Sequence, residues 1–411
     1  MGVGNQDQTA FEFRGDWKAF FPIAASNLLL TLVTLGVYRF WATTRERRYF
    51  WSQTRFIDDT LEWTGTGKEL FLGFLMAIVA LIVPVIGLQF LIQALILQGQ
   101  TALAGALGVG FYFIILFLVG FATFRALRYR LSRTHWHGIR GGSEDPGFRY
   151  GLSYIWKTLV GALVLGLLIP WSMTSLWADR WNQMSFGPHR FESTPEWGGL
   201  MKRFLLLYLV PVAAVILGIV TAVSSGGGPG GLGAVVGLLV IAFYVVLPLI
   251  ALGYYAAFFR EVVGTLSLTT INFQFTARTK EWFLLFLGNA GLYVLALIAA
   301  LIPISALGLF SGFADLQPGQ DPFAQNPGLI AGMVLALIIP MSLVGPFIRY
   351  RNWRFFIRNL EATGVIDLDL LTQSLVISRN ARCPILVRQG DAHRWLDEES
   401  EAVGIYRNTK P

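Results

Sequence analysis

The sequence predicts an all-α protein that crosses a membrane several times. Apolar residues make up 54% of its 411 residues and charged residues only 14%, whereas a soluble domain carries about 25% charged residues. Two long blocks, residues 70–123 and 204–259, contain no Lys, Arg, Asp or Glu. Because a bilayer span needs roughly 20 apolar residues and a soluble core helix is rarely apolar beyond about 14, each block predicts two membrane-spanning helices.

Six spans are predicted in total, arranged as three helical hairpins. They cover about residues 70–96, 102–124, 204–222, 232–258, 283–308 and 329–348. All 32 Lys and Arg residues lie outside these hairpins. Because cytoplasmic segments are enriched in Lys and Arg, we expect the hairpin turns on the far side of the membrane and the C-terminus in the cytoplasm.

Two shorter apolar stretches, residues 19–42 and 158–178, allow two arrangements. Each crosses the membrane once, which gives eight spans, or each enters and leaves on the same side as two half-helices. A single crossing by the second stretch would place Arg190 outside and invert the next hairpin, against the charge distribution. The charges therefore favour re-entry, and four residues are candidates for the breaks: Pro22, Asn27, Gly166 and Pro170.

A short element with an aromatic-x-aromatic pattern recurs before the apolar blocks. It reads Phe11-Glu-Phe13, Leu61-Glu-Trp63, Phe148-Arg-Tyr150, Phe273-Gln-Phe275 and, in a degenerate copy, Phe191-Glu192. Alternating residues of this kind predict strands at the cytoplasmic face, although interfacial aromatic anchoring is an alternative. We expect a membrane domain, residues 1–360, built of repeated units, and a cytoplasmic tail, residues 361–411. The units lie near residues 11–60, 61–147, 148–190, 191–272 and 273–360.

The first part of the chain resembles a known family. Asn27 to Ala42 reads NLLLTLVTLGVYRFWA, Arg45 to Trp51 reads RERRYFW, and residues 63–67 read WTGTG. These motifs are similar to those of the YjgN-like family, bacterial inner-membrane proteins built around a domain of unknown function. The resemblance implies a bacterial inner membrane and implies no activity.

Polar groups within the apolar blocks are few. The notable ones are Asn27, Gln89, Gln93, Asn289 and Tyr293, which we expect to form hydrogen bonds between helices. No acidic residue lies in any of the six predicted spans. Since ion-coupled transporters commonly keep ionisable residues at mid-membrane depth, the sequence disfavours ion-coupled transport. No catalytic, metal or cofactor motif is present, and Cys383 is the single cysteine.

Clusters of arginine and aromatic residues follow the apolar blocks. Their candidate contact residues are Arg45, Arg48, Arg125, Arg128, Arg260, Arg349 and Arg354. A guanidinium group can bind two phosphate oxygens at once, so these residues predict contacts with an anionic lipid headgroup or ligand. Ordinary anchoring of the helix ends is the alternative. We expect anionic lipids as partners and no nucleic acid, whereas the sequence leaves protein partners unknown.

Three functional hypotheses follow from these observations. The preferred one is passage or binding of a small solute or lipid without ion coupling. The second is a structural or lipid-organising membrane protein with no transported substrate. The third, an interfacial enzyme, rests only on Asp58, Asp59, His135 and His137, and we expect no enzymatic activity.

Cysteine labelling in a Cys383→Ser background tests the predicted topology. We expect labelling from the periplasm for Gln98→Cys, Ser225→Cys and Pro318→Cys. We expect labelling from the cytoplasm for Arg55→Cys, Arg140→Cys, Arg190→Cys and Lys280→Cys. Periplasmic labelling of Arg190→Cys would contradict re-entry and restore the arrangement of eight spans.

Overall fold

A computed structural model describes residues 2–3, 10–224, 228–306 and 327–365 of the protein. This part of the chain consists of five helical hairpins that are connected by short strands. The helices are α1 (Trp17–Val33), α2 (Arg39–Ser52), α3 (Gly67–Leu97), α4 (Thr101–Ser132), α5 (Phe148–Ala162), α6 (Ile169–Trp181), α7 (Gly198–Ser224), α8 (Pro229–Ile241), α9 (Leu247–Gly264), α10 (Thr279–Ala306) and α11 (Pro327–Arg358). A π-helical turn, Ala242–Val246, joins α8 to α9.

The strands are two to six residues long. They are β1 (Gly2–Val3), β2 (Phe11–Phe13), β3 (Thr54–Phe56), β4 (Asp59–Thr60), β5 (Glu62–Trp63), β6 (Thr134–Trp136), β7 (Ile139–Gly142), β8 (Ser185–Phe186), β9 (His189–Ser193), β10 (Leu266–Leu268), β11 (Ile271–Phe275) and β12 (Leu360–Val365). Nine of them form one sheet in the order β1-β12-β11-β10-β9-β8-β7-β6-β5, and β2-β3-β4 form a second sheet.

Each helical hairpin starts and ends at two strands that pair with each other. Antiparallel pairing joins β2 to β3 around α1–α2, and β5 to β6 around α3–α4. The same pairing joins β7 to β8, β9 to β10 and β11 to β12 around the next three hairpins. Both ends of every described hairpin therefore lie side by side at the sheets.

The protein is mostly helical, as predicted, but its strands pair into two extended sheets, which an all-α class does not include. Strands that were not predicted, such as β4 and β8, have only two residues and so carry too little alternation to be assigned from sequence. The predicted strand at Phe148–Tyr150 is also wrong, since these residues begin α5. The strand before α5 is β7, Ile139–Gly142, which has no aromatic pair. The other predicted copies overlap β2, β5, β9 and β11.

Among the described residues, five helical segments are long and apolar enough to cross a membrane. They are Gly67–Leu97, Thr101–Ser132, Gly198–Ser224, Val235–Gly264 and Thr279–Ile302, and they match five of the six predicted spans. The sixth predicted span, residues 329–348, lies within α11 and stays a prediction. The predicted boundary after residue 360 falls inside β12, and the rest of the predicted tail lies outside the described residues.

The two shorter apolar stretches each form a pair of helices joined by a turn. Leu35 and Gly36 make the turn between α1 and α2, with φ values of 50° and 91°. Leu165 and Gly166 occupy the turn between α5 and α6, with φ values of 57° and 85°. At about 1.5 Å per residue, α1 and α2 are roughly half as long as α3. Both turns are apolar and exposed, since Leu35 is 95% and Leu165 82% accessible.

Neighbouring hairpins pack against each other in chain order, and the last packs against the first. Helix α2 contacts α3, α4 contacts α5, α6 contacts α7 and α9, α9 contacts α10, and α11 contacts α1. The closing contact includes a hydrogen bond of 2.9 Å from the Tyr350 hydroxyl to the Gly15 carbonyl. The Trp17 and Phe347 rings also meet there, with centroids 4.4 Å apart. The five hairpins therefore form a closed ring.

Substitution of Gly120 tests the packing of α4 against α5. An ideal Cβ at Gly120 would lie 2.5 Å from the Tyr154 Cβ and 3.3 Å from the Gly151 Cα. We expect Gly120→Ala to separate the helices, to cost about 1–3 kcal/mol, and to lower the melting temperature in detergent. Gly110→Ala is the control in the same helix, because nothing lies within 4 Å of its Cβ position. Equal melting temperatures for the two variants would contradict this packing.

Candidate functional site

A cavity of about 530 Å³ lies between α1, α2, α4 and α11. We call it the arginine cavity, because Arg39, Arg47, Arg130 and Arg349 line it. Glu46 is the one carboxylate among its described lining residues. Four guanidinium groups against a single carboxylate give the cavity a positive charge.

The carboxylate of Glu46 neutralises only one of these arginines. Arg349 donates to both Glu46 oxygens at 2.7 and 2.8 Å, and the Glu46 side chain is only 6% exposed. Arg47 instead lies 4.9 Å from the centre of the Trp63 ring, and Arg130 Nε donates to the Ala126 carbonyl at 3.3 Å. Two charged groups are thus paired with each other, and the others are available to an anion.

The remaining three arginines have no acidic partner in the described part of the chain. Among the described residues, no carboxylate lies within 4.0 Å of the guanidinium nitrogens of Arg39, Arg47 or Arg130. Planar guanidinium groups bind carboxylate and phosphate oxygens with paired, charge-assisted hydrogen bonds. The cavity is therefore suited to an anionic ligand.

Helix α2 separates the arginine cavity from a second cavity on its other side. Positions three and four residues apart share one face of a helix, so Arg39, Glu46 and Phe50 border the arginine cavity. The opposite face carries Arg45 and Arg48. These two arginines line a cavity of about 400 Å³ between α2 and the start of α3, which we call the lateral cavity.

The structure does not bring the seven predicted arginines together. Arg45 and Arg48 line the lateral cavity, and Arg349 lines the arginine cavity. Arg125 lies over the Phe121 ring, Arg128 bonds the Asp145 carbonyl, Arg260 bonds the Ala277 carbonyl, and Arg354 lies beside Tyr350. A single site shared by the seven predicted arginines is therefore absent from the described residues.

Four of these arginines occupy equivalent positions in the chain. Each lies six residues before the first residue of the next strand: Arg48 before Thr54, Arg128 before Thr134, Arg260 before Leu266 and Arg354 before Leu360. Arg128 and Arg260 also bond the carbonyl of a residue that lies just before the following helix, at 3.2 and 3.0 Å. These two residues attach one hairpin to the next.

The predicted polar residues of the apolar blocks are placed in two ways. Asn27 is buried, donates to the Ala42 carbonyl at 3.3 Å and accepts from Arg45 at 3.0 Å. Asn289 of α10 donates to Asn352 of α11 at 2.9 Å. These two residues make the predicted interhelical bonds. The remaining three are exposed on the outer surface: Gln89, Gln93 and Tyr293.

Sequence reasoning did not single out Arg39, Glu46, Arg47 and Arg130. Arg47 belongs to the same run as Arg45 and Arg48, and only the packing around α2 decides which arginine faces which cavity. Two signals were available. Arg39 is a charged residue inside the apolar stretch 19–42, and Glu46 is an acidic residue inside a run of arginines.

A second charged cluster lies at the turns of the sheets. Asp58 lies 3.0 Å from His137 Nε2, and Asp59 lies 3.9 Å from His137 Nδ1. Burial alone would raise the pKa of Asp58, but hydrogen bonds from His137 and the backbone, with the charges of His137 and Arg55, lower the pKa below its ordinary value. A lowered carboxyl pKa is typical of an ion-pair partner. The cluster joins the β3–β4 turn to the β6–β7 turn.

Comparisons with known proteins agree with the resemblance of residues 27–51. The family described as bacterial protein of unknown function (DUF898) matches residues 8–381. Inner membrane protein YjgN of Salmonella typhimurium (strain LT2) is 27% identical over 132 residues, 32% of this chain and 30% of that protein. Inner membrane protein YjgN of Escherichia coli O157:H7 is 22% identical over 240 residues, 50% of this chain and 58% of that protein.

The chain thus spans between 30% and 58% of the length of these curated relatives. No solved structure matches the chain. The predicted YjgN-like resemblance is confirmed, and the relatives' printed names place them in the inner membrane without an activity.

Glu46→Gln tests the ion pair that closes the arginine cavity between α2 and α11. Breaking a buried pair costs about 3–5 kcal/mol, and the 55% exposure of the Arg349 side chain lowers our expectation to about 1–3 kcal/mol. Differential scanning fluorimetry in detergent should show a lower melting temperature. Glu12→Gln is the control, because Glu12 pairs with Arg14 and both side chains are half-exposed. We expect a loss under about 1 kcal/mol for this control, and an equal loss in both variants would contradict the assignment.

Proposed function

This chain belongs to the DUF898 family of bacterial proteins, and we propose that it is a multi-pass inner-membrane protein whose arginine cavity binds, or passes, a small anionic solute or lipid headgroup without ion coupling. The observation that carries the proposal is the arginine cavity, three of whose arginines have no acidic partner among the residues that the structure describes.

Unpaired cations within a membrane protein require a physical reason. A charged side chain at membrane depth is costly and usually marks a ligand or ion pathway. Arg39 begins α2 next to the exposed turn at Leu35, whereas Trp51 lies at the sheet end of the same helix. The residues of α2 that line the cavity thus extend over about 18 Å along its axis. A cavity of this length supports passage of the ligand as well as binding.

Ion coupling is not part of the proposal, because the predicted spans contain no acidic residue. The one carboxylate in the described lining of the cavity, that of Glu46, is already bonded to Arg349 at 2.7 Å. A proton- or sodium-coupled site needs carboxylates that are free to bind the coupling ion. A passive binder of an anion needs only the arginines.

We further propose that the sheets and the C-terminus face the cytoplasm, that α11 completes six spans, and that both short hairpins re-enter the membrane. The turn between α1 and α2 supports re-entry. Lipid tolerates a turn only when its backbone groups are satisfied. Every backbone N–H from Thr34 to Arg39 donates a hydrogen bond within the turn, at 2.7 to 3.2 Å. The exposed side chain of Leu35 then suits a hydrocarbon environment.

An internal repeat is also part of this proposal. Its support is the ring of five hairpins, each enclosed by paired strands, and the equivalent positions of Arg48, Arg128, Arg260 and Arg354. A lipid-organising protein without a transported substrate is the second candidate. The observation that favours it is the bonding of Arg128 and Arg260 to backbone carbonyls, which gives these arginines a structural role.

The test is anion-dependent stabilisation of the purified protein. Melting temperatures are measured in detergent with inorganic phosphate, pyrophosphate or glycerol 3-phosphate, against chloride at the same ionic strength. A ligand at 100 times its Kd stabilises the folded state by about 2.7 kcal/mol, so we expect at least one anion to raise the melting temperature by several degrees. Arg47→Gln/Arg130→Gln should lose this response.

The control is Arg14→Gln/Arg55→Gln, which removes two charges outside the arginine cavity and should keep the response. Equal responses in wild type and in the Arg47→Gln/Arg130→Gln variant, or none with any anion, would contradict the proposal. Release of the stabilising anion from proteoliposomes, without a proton or sodium gradient, then separates passage from binding alone.

A further inference from the structure

The lateral cavity carries three cations, and the described residues include no acidic partner for them. Arg45, Arg48 and Lys68 line it, and no carboxylate of the described residues lies within 4.0 Å of their charged nitrogens. The nearby Glu69 is occupied elsewhere, because it pairs with Arg133 at 2.9 Å and accepts from the Tyr129 hydroxyl at 3.1 Å. The lateral cavity is therefore cationic.

Contacts within the protein hold the cationic groups in place. Arg45 donates to the Asn27 side chain at 3.0 Å and approaches the Tyr38 hydroxyl at 3.4 Å, and both partners are neutral. Gly67 packs so closely on Trp41 that a Cβ would lie 2.6 Å from the Trp41 Cγ. This contact brings the first turn of α3 to the cavity, where its backbone N–H groups favour an anion.

An apolar wall continues from the cationic groups along α3. The Phe40 ring lies 5.5 Å from the Phe71 ring and 5.0 Å from the Phe74 ring, and the Trp41 ring lies 5.8 Å from Phe71. Beyond them Leu72 and Leu75 are about half exposed on α3. A free phosphate ion would use only the cations, whereas a phospholipid would use the cations and the wall.

We propose that the lateral cavity binds the phosphate headgroup of an anionic phospholipid, whose acyl chains lie along the exposed apolar face of α3. Basic pockets between membrane helices bind such headgroups on the cytoplasmic side. The site uses the face of α2 opposite to the arginine cavity. It is therefore independent of the proposed passage or binding of a solute.

Native mass spectrometry of the purified full chain tests the lipid site. The protein is titrated with cardiolipin, phosphatidylglycerol and phosphatidylethanolamine, and the variant is Arg45→Gln/Arg48→Gln/Lys68→Gln. Each headgroup contact contributes about a fivefold gain in affinity. We therefore expect the variant to bind cardiolipin or phosphatidylglycerol about 100-fold more weakly, with little change for phosphatidylethanolamine.

The matched control is Arg278→Gln/Lys280→Gln/Arg358→Gln, which removes the same number of charges from exposed positions outside both cavities. It should retain wild-type lipid affinity. An equal loss of anionic-lipid affinity in both triple variants would show that the effect depends only on net charge, and it would overturn the site. Unchanged anionic-lipid binding in a folded lateral-cavity variant, verified by its melting temperature, would overturn it as well.

A second arm distinguishes the headgroup of a lipid from free phosphate. Phe71→Ser shortens the apolar wall and keeps all three cations. It should weaken binding of phosphatidylglycerol several-fold and leave binding of glycerol 3-phosphate unchanged. If the Arg45→Gln/Arg48→Gln/Lys68→Gln variant lost binding of inorganic phosphate or glycerol 3-phosphate as strongly as binding of phosphatidylglycerol, the lateral cavity would be assigned to a soluble anion and the lipid proposal overturned.

Discussion

Antiparallel pairing of the strands on either side of each helical hairpin is the constraint on which the rest of the structure depends. Because β2 pairs with β3 and β7 with β8, even a short apolar stretch must return to the sheet that it left. The strands that connect one hairpin to the next also form antiparallel pairs, such as β6 with β7 and β8 with β9. These pairs place consecutive hairpins side by side. The ring of hairpins and the arginine cavity follow from this arrangement.

The composition of α2 is explained by its place in the ring. Its sequence, RFWATTRERRYFWS, has too many charges to face lipid on all sides. Helix α11 supplies Arg349 to Glu46 on one side, and the start of α3 borders Arg45 and Arg48 on the other. Neighbouring helices thus replace lipid around α2. The arginine cavity and the lateral cavity remain on its two opposite charged faces.

The sequence predicted the parts of this structure that depend on local composition. Apolar length located the long helices, and the charge distribution together with Gly166 and Pro170 indicated the second short hairpin. The breaks predicted at Pro22 and Asn27 are wrong, because both residues lie inside α1 and the first hairpin turns at Leu35 and Gly36. The sheets were not predictable in full, because strands such as β5, Glu62–Trp63, gain their stability from partners about 70 residues away in the chain. The arginine cavity was missed for a related reason. Arg47 and Arg48 are adjacent in sequence, and only tertiary packing assigns them to different sides of α2.

The lengths of the hairpins indicate where the proposed ligand of the arginine cavity would enter. The first hairpin is short and packs against α11 and α3, so its turn at Leu35 lies closer to the sheets than the turn between α3 and α4. The first hairpin does not fill the space beyond its own turn, which leaves a gap beside α3. Arg39, immediately after the turn, is therefore the cation of the arginine cavity farthest from the sheets and nearest to that gap. A ligand that reached Arg39 from the gap would next meet Arg47 of α2 and Arg130 of α4, which line the same cavity.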